Sequence, residues 1–262
     1  METLSIIKIG GNVIDDPKLL ETFLKDFSAI KGKKILVHGG GKLATNLANT
    51  LGIKQTLIDG RRVTDQETLN ITVMVYAGLI NKKITSRLQS LQCNAFGLSG
   101  ADGNLIKSKK RKKAEVDFGF VGDVPAEGIN VKLFERLLNE DIVPVISPIT
   151  HDGNGNLLNT NADTMATVIA VAMKSSFNVE LIYCFEKKGV LMNSYDEGSF
   201  IPALNKQDYL TLKKEGVFSG GMIPKLENAF NAIEAGVEYV LICHATDIVN
   251  IETKTTGTLV LA

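Results

Sequence analysis

The feature that most constrains the fold is a unit of apolar strand, glycine turn and helix that occurs twice within the first fifty residues. Residues 5–9 are a serine and three isoleucines interrupted by one lysine, and they are followed by Gly10 and Gly11 and then by a helical pattern. Residues 34–37 lead in the same way to the glycines at 39–41 and to a second helical pattern. Because parallel strands need crossover connections, this alternation predicts an α/β fold with a mainly parallel sheet covered on both faces.

The alternation continues through the rest of the chain, with two interruptions. The stretches 104–124 and 147–158 are rich in glycine, asparagine and aspartate, and this composition predicts hairpins beside the sheet. No repeat or proline-rich linker divides the chain, so we expect one continuous domain over residues 1–262. The other predicted elements are helices at 17–30, 42–51, 66–90, 131–139, 163–174 and 225–235, and strands at 142–146, 179–184 and 239–243.

Composition excludes several classes of function. The 262 residues carry 29 basic and 29 acidic side chains, so overall charge does not hold this chain to nucleic acid or to an acidic membrane. Six positive charges between Lys107 and Lys113 have no interleaved aromatic residue for base stacking, and we interpret them as a solvated loop tip. The three cysteines are far apart, and no apolar run resembles a membrane span or a signal peptide. We expect a cytoplasmic protein without nucleic-acid or membrane partners.

The glycines lie where a parallel sheet binds ligands, at the carboxyl ends of two strands. Glycine lets backbone N–H groups approach an anion closely, and the following helix adds partial positive charge, so two such turns favour a phosphate cradle. The P-loop pattern fails because Leu36 and Leu43 occupy two of its required positions. The relaxed dinucleotide pattern fits residues 39–44, with Asp59 downstream. A Rossmann-type oxidoreductase therefore stays open as an alternative.

Two lysines stand in positions that are costly unless an anion is near. Lys8 interrupts an apolar strand, and a buried lysine is unfavourable when it is unpaired. Lys225 falls in the first turn of a helix that follows Gly220, Gly221 and Pro224, where a cation opposes the helix dipole by about 0.3–1 kcal/mol. A bound anion would reverse both penalties, whereas exposure to solvent would make both tolerable. The sequence alone leaves these alternatives open.

A polar segment, residues 159–163, leads into an apolar helix. Either Asn161 or Asp163 can cap this helix or stabilise it by charge. The preceding residues hint at a calcium loop, but Leu157 stands where glycine is needed and Asp163 stands where glutamate is needed. The histidines and cysteines show no metal-ligand spacing, so we predict no protein metal site.

Five short segments occur in one order along the chain, and together they resemble the amino acid kinase family. Within that family they are most similar to the branch that phosphorylates N-acetylglutamate in arginine biosynthesis. Each segment is common by itself, but five in register make the resemblance specific, and it extends from residue 4 to Thr258. The segments are residues 7–12, 37–41, 60–64, 159–163 and 220–225.

The resemblance implies a three-layer αβα sandwich around a mainly parallel open sheet. It implies that a first lobe, about residues 1–176, binds the acyl-glutamate and that a second lobe, about residues 177–262, binds ATP as co-substrate with Mg²⁺. In this arrangement Lys8 and Lys225 would stabilise the phosphoryl group during transfer, and Asp163 would orient both lysines.

The resemblance also assigns the polar contacts of the substrates. Arg62 and Asn159 would hold the acyl-glutamate. The acceptor is a γ-carboxylate with an unperturbed pKa of about 4.3, so it is already ionised and needs no general base. The backbone N–H groups that would bind phosphate oxygens belong to Gly10 and Gly11 on the ATP side and to Gly40 and Gly41 on the acceptor side.

Three points depart from the family pattern or extend it. Residues 184–189 replace a usual small Ser or Thr followed by Asp, so the adenine and ribose contacts stay unassigned. Arg61 stands where relatives commonly carry an apolar residue; it would meet the extra carboxylate of N-succinyl-L-glutamate, which some relatives use, or face solvent, which we favour. Another acceptor of the family is a further alternative. Arginine-inhibited relatives carry an N-terminal helix that is missing before Lys8, so we expect a homodimer insensitive to arginine.

Overall fold

The computed structural model describes residues 1–58, 61–113, 115–193, 195–218, 222–253 and 256–262. The strands are β1 Thr3–Ile9, β2 Lys33–His38, β3 Leu57–Ile58, β4 Arg61–Arg62, β5 Ala95–Leu98, β6 Lys109–Lys110, β7 Gly122–Asp123, β8 Val143–Ile146, β9 Ile149–His151, β10 Leu157–Asn159, β11 Asn178–Phe185, β12 Ala203–Leu204, β13 Tyr239–His244 and β14 Thr258–Val260. The α-helices are α1 Gly11–Asp15, α2 Pro17–Ala29, α3 Gly41–Thr50, α4 Gln66–Thr72, α5 Asn81–Ser90, α6 Val131–Asn139, α7 Ala162–Met173, α8 Lys206–Lys214 and α9 Met222–Glu234. Val73–Ile80 is π-helical, and 3₁₀ segments cover Asp102–Asn104, Ala126–Gly128, Glu197–Ser199 and Ala245–Thr253.

Eight strands form one sheet, in the order β12–β14–β13–β11–β1–β2–β8–β5. Neighbouring strands are parallel except β13 and β14, which pair antiparallel. The prediction of a mainly parallel open sheet is therefore confirmed. The two stretches predicted as hairpins contain the antiparallel pairs β6–β7 and β9–β10, and β3 pairs with β4 in the same way.

β1 lies in the middle of the sheet, between β2 and β11. Successive side chains of a strand point to opposite faces. Leu4 and Ile6 accordingly pack into the hydrophobic cluster on one face, and Ile7 and Ile9 pack into the cluster on the other. Lys8 follows the period of Leu4 and Ile6, so its side chain points toward their face. The alternative of an edge strand with a solvated lysine is wrong.

Helices cover both faces of the sheet. On the face of Leu4 and Ile6, helices α6 to α9 contribute side chains such as Phe134, Met165 and Leu226 to the core. On the opposite face, α1 to α5, the π-helical segment and residues of Ala245–Thr253 close the second core. The three-layer αβα sandwich is therefore confirmed. In the ranges that the structure covers, no helix combines the length and the apolar character needed to cross a bilayer.

The predicted helix over residues 66–90 is not one regular helix, because the π-helical segment separates α4 from α5. This segment is almost wholly apolar, so its sequence has no polar face to set a helical period. Its side chains Tyr76 and Ile80 pack against Gly40: a Cβ at that glycine would overlap Ile80 Cδ1 and lie 3.2 Å from Tyr76 Cδ1. Two smaller differences are the short helix α1 after the first glycines and the start of α9 at Met222, before the predicted residue 225.

Candidate active site

The two glycine turns lie side by side at the carboxyl ends of β1 and β2. A Cβ added to Gly11 would lie 3.8 Å from the backbone nitrogen of Gly41, so the turns nearly touch. They line a cavity of about 940 Å³. Lys8 lies directly behind this wall, with its Nζ 3.9 Å from the position of a Cβ at Gly10. The other predicted site residues all line the cavity: Gly10, Gly11, Gly40, Gly41, Arg62, Asn159, Asp163 and Lys225.

The ammonium groups of the two predicted lysines meet at one carboxylate. Lys8 Nζ lies 2.7 Å from Asp163 Oδ1, and Lys225 Nζ lies 3.2 Å from both carboxylate oxygens. Strand β1 and the first turns of α7 and α9 supply these three side chains. Lys8 is 7% exposed and Lys225 is 9% exposed, so neither is a solvated surface lysine. Three residues that are far apart in the sequence thus form one charged cluster.

Asn161, and not Asp163, caps helix α7. Its side-chain oxygen accepts a hydrogen bond of 3.0 Å from the backbone N–H of Thr164. This cap leaves the carboxylate of Asp163 available to both lysines, while its position in the first turn also suits the helix dipole. The sequence left open which of the two residues caps the helix. In the structure Asn161 is the cap, and Asp163 pairs with the lysines.

The charges of this cluster support one another. Burial would by itself raise the pKa of Asp163, but the ammonium groups of Lys225 and Lys8 outweigh it and hold that pKa well below its ordinary value. Burial lowers the pKa of Lys225, and the attraction of Asp163 opposes this shift. The cluster therefore combines two cations with one ionised carboxylate, and its excess positive charge faces the cavity.

Two aromatic rings flank Lys225. Its Nζ lies 5.1 Å from the centroid of the Tyr183 ring and 5.8 Å from that of Phe185, within the range of cation–π attraction. The Tyr183 hydroxyl is 2.6 Å from Thr167 Oγ1 and donates to the backbone carbonyl of Asp163 at 3.3 Å. Phe185 belongs to the segment that departs from the family pattern, and its ring is buried against this lysine. The next residue of the segment, Glu186, lines the cavity.

Arg62, one of the two residues predicted to hold the acceptor, lies beside the second glycine turn. The guanidinium of Arg62 donates hydrogen bonds of 2.9 Å to the backbone oxygen of Gly41 and to Thr45 Oγ1, so its position is fixed. Asn159 is buried and donates to Thr64 Oγ1 at 3.1 Å. Both side chains are thus held by the protein before any ligand binds.

The two glycines of the first turn differ in the use of their N–H groups. The N–H of Gly10 donates to the backbone oxygen of Cys184 at 3.3 Å, which ties the turn to β11. Gly11 begins helix α1, so its N–H is one of the helix-terminal donors that have no partner within the helix. Of the pair, Gly11 is the better placed to bind an incoming phosphate.

Tyr76 and Arg111 are among the cavity-lining residues that the sequence did not mark as part of a site. Tyr76 comes from the π-helical segment, and burial raises the pKa of its hydroxyl against the opposing charge of Arg62. No local pattern marks this tyrosine. Arg111 belongs to the basic run interpreted as a solvated loop tip, yet it lines the cavity and pairs with Asp123 at 2.5 Å. The loop-tip interpretation is wrong for Arg111.

In the part of the chain that the structure describes, acidic and histidine side chains do not cluster as metal ligands. No group of three His, Cys, Asp or Glu residues suited to a metal ion occurs in the described ranges. The carboxylate of Asp152, in the stretch that hinted at a calcium loop, bonds to the backbone N–H and side chain of its own turn at Asn154 and Asn156. The predicted positions Asp59, Gly60, Gly220 and Gly221 lie outside the described residues.

A cavity at the carboxyl edge of a parallel sheet, with two glycine turns and two buried ammonium groups, is suited to stabilise a phosphoryl group in transfer. The fold and the site together define a phosphotransferase of the αβα type. The chain belongs to the amino acid kinase family, whose pattern matches residues 3–244.

Individual relatives extend over the whole chain. The acetylglutamate kinase of Cytophaga hutchinsonii is 54% identical, with 100% of both chains aligned. The acetylglutamate kinase of Parabacteroides distasonis is 51% identical over 95% of this chain and 96% of its own. Among solved structures, smu.665 from Streptococcus mutans UA159 superposes with a TM-score of 0.78 at 25% identity, covering 99% of this chain and 98% of the other. The resemblance inferred from five short segments is confirmed.

Proposed function

We propose that this chain transfers the γ-phosphoryl group of ATP to the γ-carboxylate of N-acetyl-L-glutamate, a step of arginine biosynthesis. The products are N-acetyl-L-glutamyl 5-phosphate and ADP. The observation that carries the proposal is the convergence of Lys8 and Lys225 on Asp163 beside the two glycine turns. The acceptor is supported by the relatives named acetylglutamate kinase that align with the whole chain.

The main requirement of this reaction is to bring an anionic carboxylate up to an anionic phosphate. A carboxylate oxygen of the acceptor forms a bond to the γ-phosphorus, the bond to the β,γ-bridging oxygen breaks, and its electron pair leaves with ADP. Because the acceptor is already ionised near neutral pH, no side chain has to remove a proton. Lys8 and Lys225 neutralise the oxygens of the moving phosphoryl group, and Asp163 keeps both ammonium groups at a fixed spacing.

We assign the two substrates to the two glycine turns. The acceptor lies against the second turn, where the charge of the Arg62 guanidinium attracts the α-carboxylate and Asn159 contacts the acyl-glutamate. ATP lies against the first turn, with its nucleoside toward residues 177–262. Mg²⁺ would enter with ATP and would offset part of the negative charge of the phosphates there. Asp163 already pairs with two lysines and remains their orienting group.

An assay of ADP release over a panel of acylated glutamates tests the proposal. We expect turnover with N-acetyl-L-glutamate and none with unacylated glutamate. Arg61 is exposed at the rim of the cavity, and the alternative acceptor N-succinyl-L-glutamate would be preferred only if this side chain meets the extra carboxylate of the succinyl group. An Arg61→Leu variant would then lose that preference. Absence of ADP release with every acylated glutamate, together with NAD binding, would favour the oxidoreductase alternative.

We also propose that two copies of the chain form a homodimer in the cytoplasm. β5 is an outer strand of the sheet, and its Phe96 is 50% exposed. Leu79 and Met74 expose apolar side chains on the neighbouring helical segment. An open edge with apolar side chains is suited to pair with the same edge of a second copy. The three free cysteines support a reducing compartment.

Light scattering on the purified protein tests the assembly. We expect the mass of a dimer for the wild type and the mass of a monomer for Phe96→Lys, because a lysine at this edge would place two charges in the contact. Circular dichroism of the variant should match that of the wild type. A monomeric wild type would contradict the proposal.

A further inference from the structure

Behind the second glycine turn lies a buried polar pair, His38 and Asn81, that the proposed mechanism does not use. Both residues have no exposed surface. His38 is the last residue of β2, and Asn81 is the first residue of α5, on the far side of the cavity wall. Buried polar side chains are costly unless they are hydrogen-bonded, so each bond of this pair needs a partner of the correct type.

The donors and acceptors of the pair follow from its neighbours. The ammonium of Lys82 can only donate, and it lies 3.1 Å from Asn81 Oδ1. The amide nitrogen of Asn81 therefore faces the other way, where it donates to the backbone oxygen of Val145 at 2.9 Å and lies 3.2 Å from His38 Nε2. This nitrogen of the imidazole must accept. His38 Nδ1 then carries the proton, and it lies 2.9 Å from the backbone oxygen of Gly39.

The last bond of this chain fixes a peptide of the active site. The carbonyl of Gly39 and the N–H of Gly40 belong to one trans peptide, in which the two groups point in opposite directions. With the carbonyl held toward the buried ring, the N–H of Gly40 points away from that ring, and Gly40 itself lines the cavity. Within the described residues this N–H donates to no protein acceptor. It is therefore available to an anion.

The orientation of the peptide between Gly39 and Gly40 has to be fixed by a neighbouring group. Its φ of +149° is a conformation that glycine adopts readily, and glycine has the largest choice of alternatives. Nothing within the residue itself selects the orientation in which the N–H faces the cavity. The bond from His38 to the preceding carbonyl supplies that selection.

We propose that His38, oriented by Asn81 and Lys82, is a positioning residue that fixes the peptide between Gly39 and Gly40 so that the Gly40 N–H faces the acceptor. This inference rests on the proposed function for the identity of the acceptor. Burial lowers the pKa of His38 to about 4, with a smaller effect in the same direction from Lys82, so the ring is neutral near pH 7. A neutral ring with one proton has the single donor and single acceptor that the chain of bonds requires.

Nitrogen NMR of the free protein and kinetics of two variants test the proposal. In His38→Asn the amide nitrogen stands close to the position of Nδ1 and keeps the donor, whereas His38→Leu has similar bulk and no donor. We expect the wild-type spectrum to show a neutral histidine protonated at Nδ1, identified by its loss in His38→Asn. We expect kcat/KM for the acylated glutamate to fall by about tenfold or more in His38→Leu and to stay within about threefold of wild type in His38→Asn. Affinity for a non-hydrolysable ATP analogue should change by less than about threefold in both.

The amide signal of Gly40 separates this inference from the proposed function. It should shift or broaden in His38→Leu and stay near its wild-type position in His38→Asn, whatever acceptor the enzyme uses. A proton on Nε2, or an unchanged Gly40 signal in His38→Leu, would overturn the positioning role. Equal losses in acceptor and nucleotide affinity would also overturn it, because they would indicate a structural role alone. If no acylated glutamate is phosphorylated while the spectra agree with expectation, the proposed function fails and the hold on Gly40 stands.

Discussion

Replacing Lys8 by Met is the most direct test of the charged cluster. The substitution keeps most of the side-chain volume and removes one of the two ammonium groups that meet at Asp163. Loss of one preorganised donor at a developing charge costs about 2.7–4 kcal/mol in the transition state, or a factor of about 10² to 10³ in kcat. We expect a loss of this size in kcat and a much smaller change in ATP affinity, because the charge is needed mainly during transfer.

The structure also bounds the effect on stability. In Lys8→Met the carboxylate of Asp163 keeps Lys225 at 3.2 Å, so no buried charge is left without a partner. The free energy of unfolding should therefore fall by less than the roughly 3–5 kcal/mol that follows when a buried pair is broken. Release of ADP gives kcat, titration calorimetry with an ATP analogue gives the affinity, and urea denaturation gives the stability.

Lys34 provides a matched control. It is 5% exposed, and its ammonium donates to the backbone oxygens of Phe27, Ser28 and Ile30 at the end of α2, away from the cavity. Lys34→Met should lower stability and leave kcat within about threefold of wild type. If both variants lose kcat to the same extent, or if Lys8→Met loses ATP affinity as much as kcat, the assignment of Lys8 to the transition state is wrong.

Three further substitutions test other parts of the site. Asp163→Asn leaves two buried ammonium groups without their counter-charge, so urea denaturation should show a loss of about 3–5 kcal/mol in unfolding free energy; a loss below about 1 kcal/mol would contradict this view of the cluster. Gly40→Ala would overlap Ile80, and KM for the acceptor should rise by about tenfold or more. Gly52→Ala is its control, because Gly52 also has positive φ but no atom within 4 Å of the added Cβ, and an equal rise in KM there would refute the steric argument. Burial lowers the pKa of Lys225 in the ligand-free protein from its ordinary 10.5, so kcat/KM should decline with rising pH at a midpoint below that value. Lys225→Arg should move the decline to higher pH, and an unmoved decline would assign it to another group.

The central strands of the sheet were predictable because they are buried on both faces. β1, β2, β11 and β13 each contain a short apolar run, and their predicted ends agree with the structure to within a few residues. The three-layer architecture follows from the alternation of such runs with helical patterns. The hairpins could also be predicted from the sequence, because glycine, asparagine and aspartate mark their turns.

The edge strands and several helices were not predictable from local pattern. β5 has four residues, and one of them is Gly97, where a Cβ would meet side chains of α5. Such a strand is specified by its neighbours and not by its own periodicity. The same reason applies to Tyr76 and Arg111, whose places in the cavity wall are set by a π-helical segment and by a hairpin that folds back. Which of Asn161 and Asp163 caps α7 likewise depends on the positions of Lys8 and Lys225, which local sequence does not give.

The site residues were predictable to a larger extent because they violate local rules. Lys8 in an apolar strand and Lys225 in the first turn of a helix are both unfavourable in isolation, and each points to an interaction that the local sequence does not contain. The parallel sheet supplies that interaction. The period of β1 directs Lys8 to the face that α7 and α9 cover, and the first turns of those helices bring Asp163 and Lys225 to the same end of the strand.

Asp163 has a consequence for catalysis beyond holding two side chains in place. Burial lowers the pKa of Lys225, and repulsion by the neighbouring ammonium group of Lys8 lowers it further. Without a carboxylate between them, one of the two would lose its proton more readily and the site would lose half of its positive charge. The carboxylate keeps both cations charged while it cancels only one of them. The cluster therefore keeps a net positive charge. In the proposed reaction this charge would attract the negatively charged phosphoryl group. We therefore regard Asp163 as the residue that makes two adjacent lysines compatible with a buried site at neutral pH.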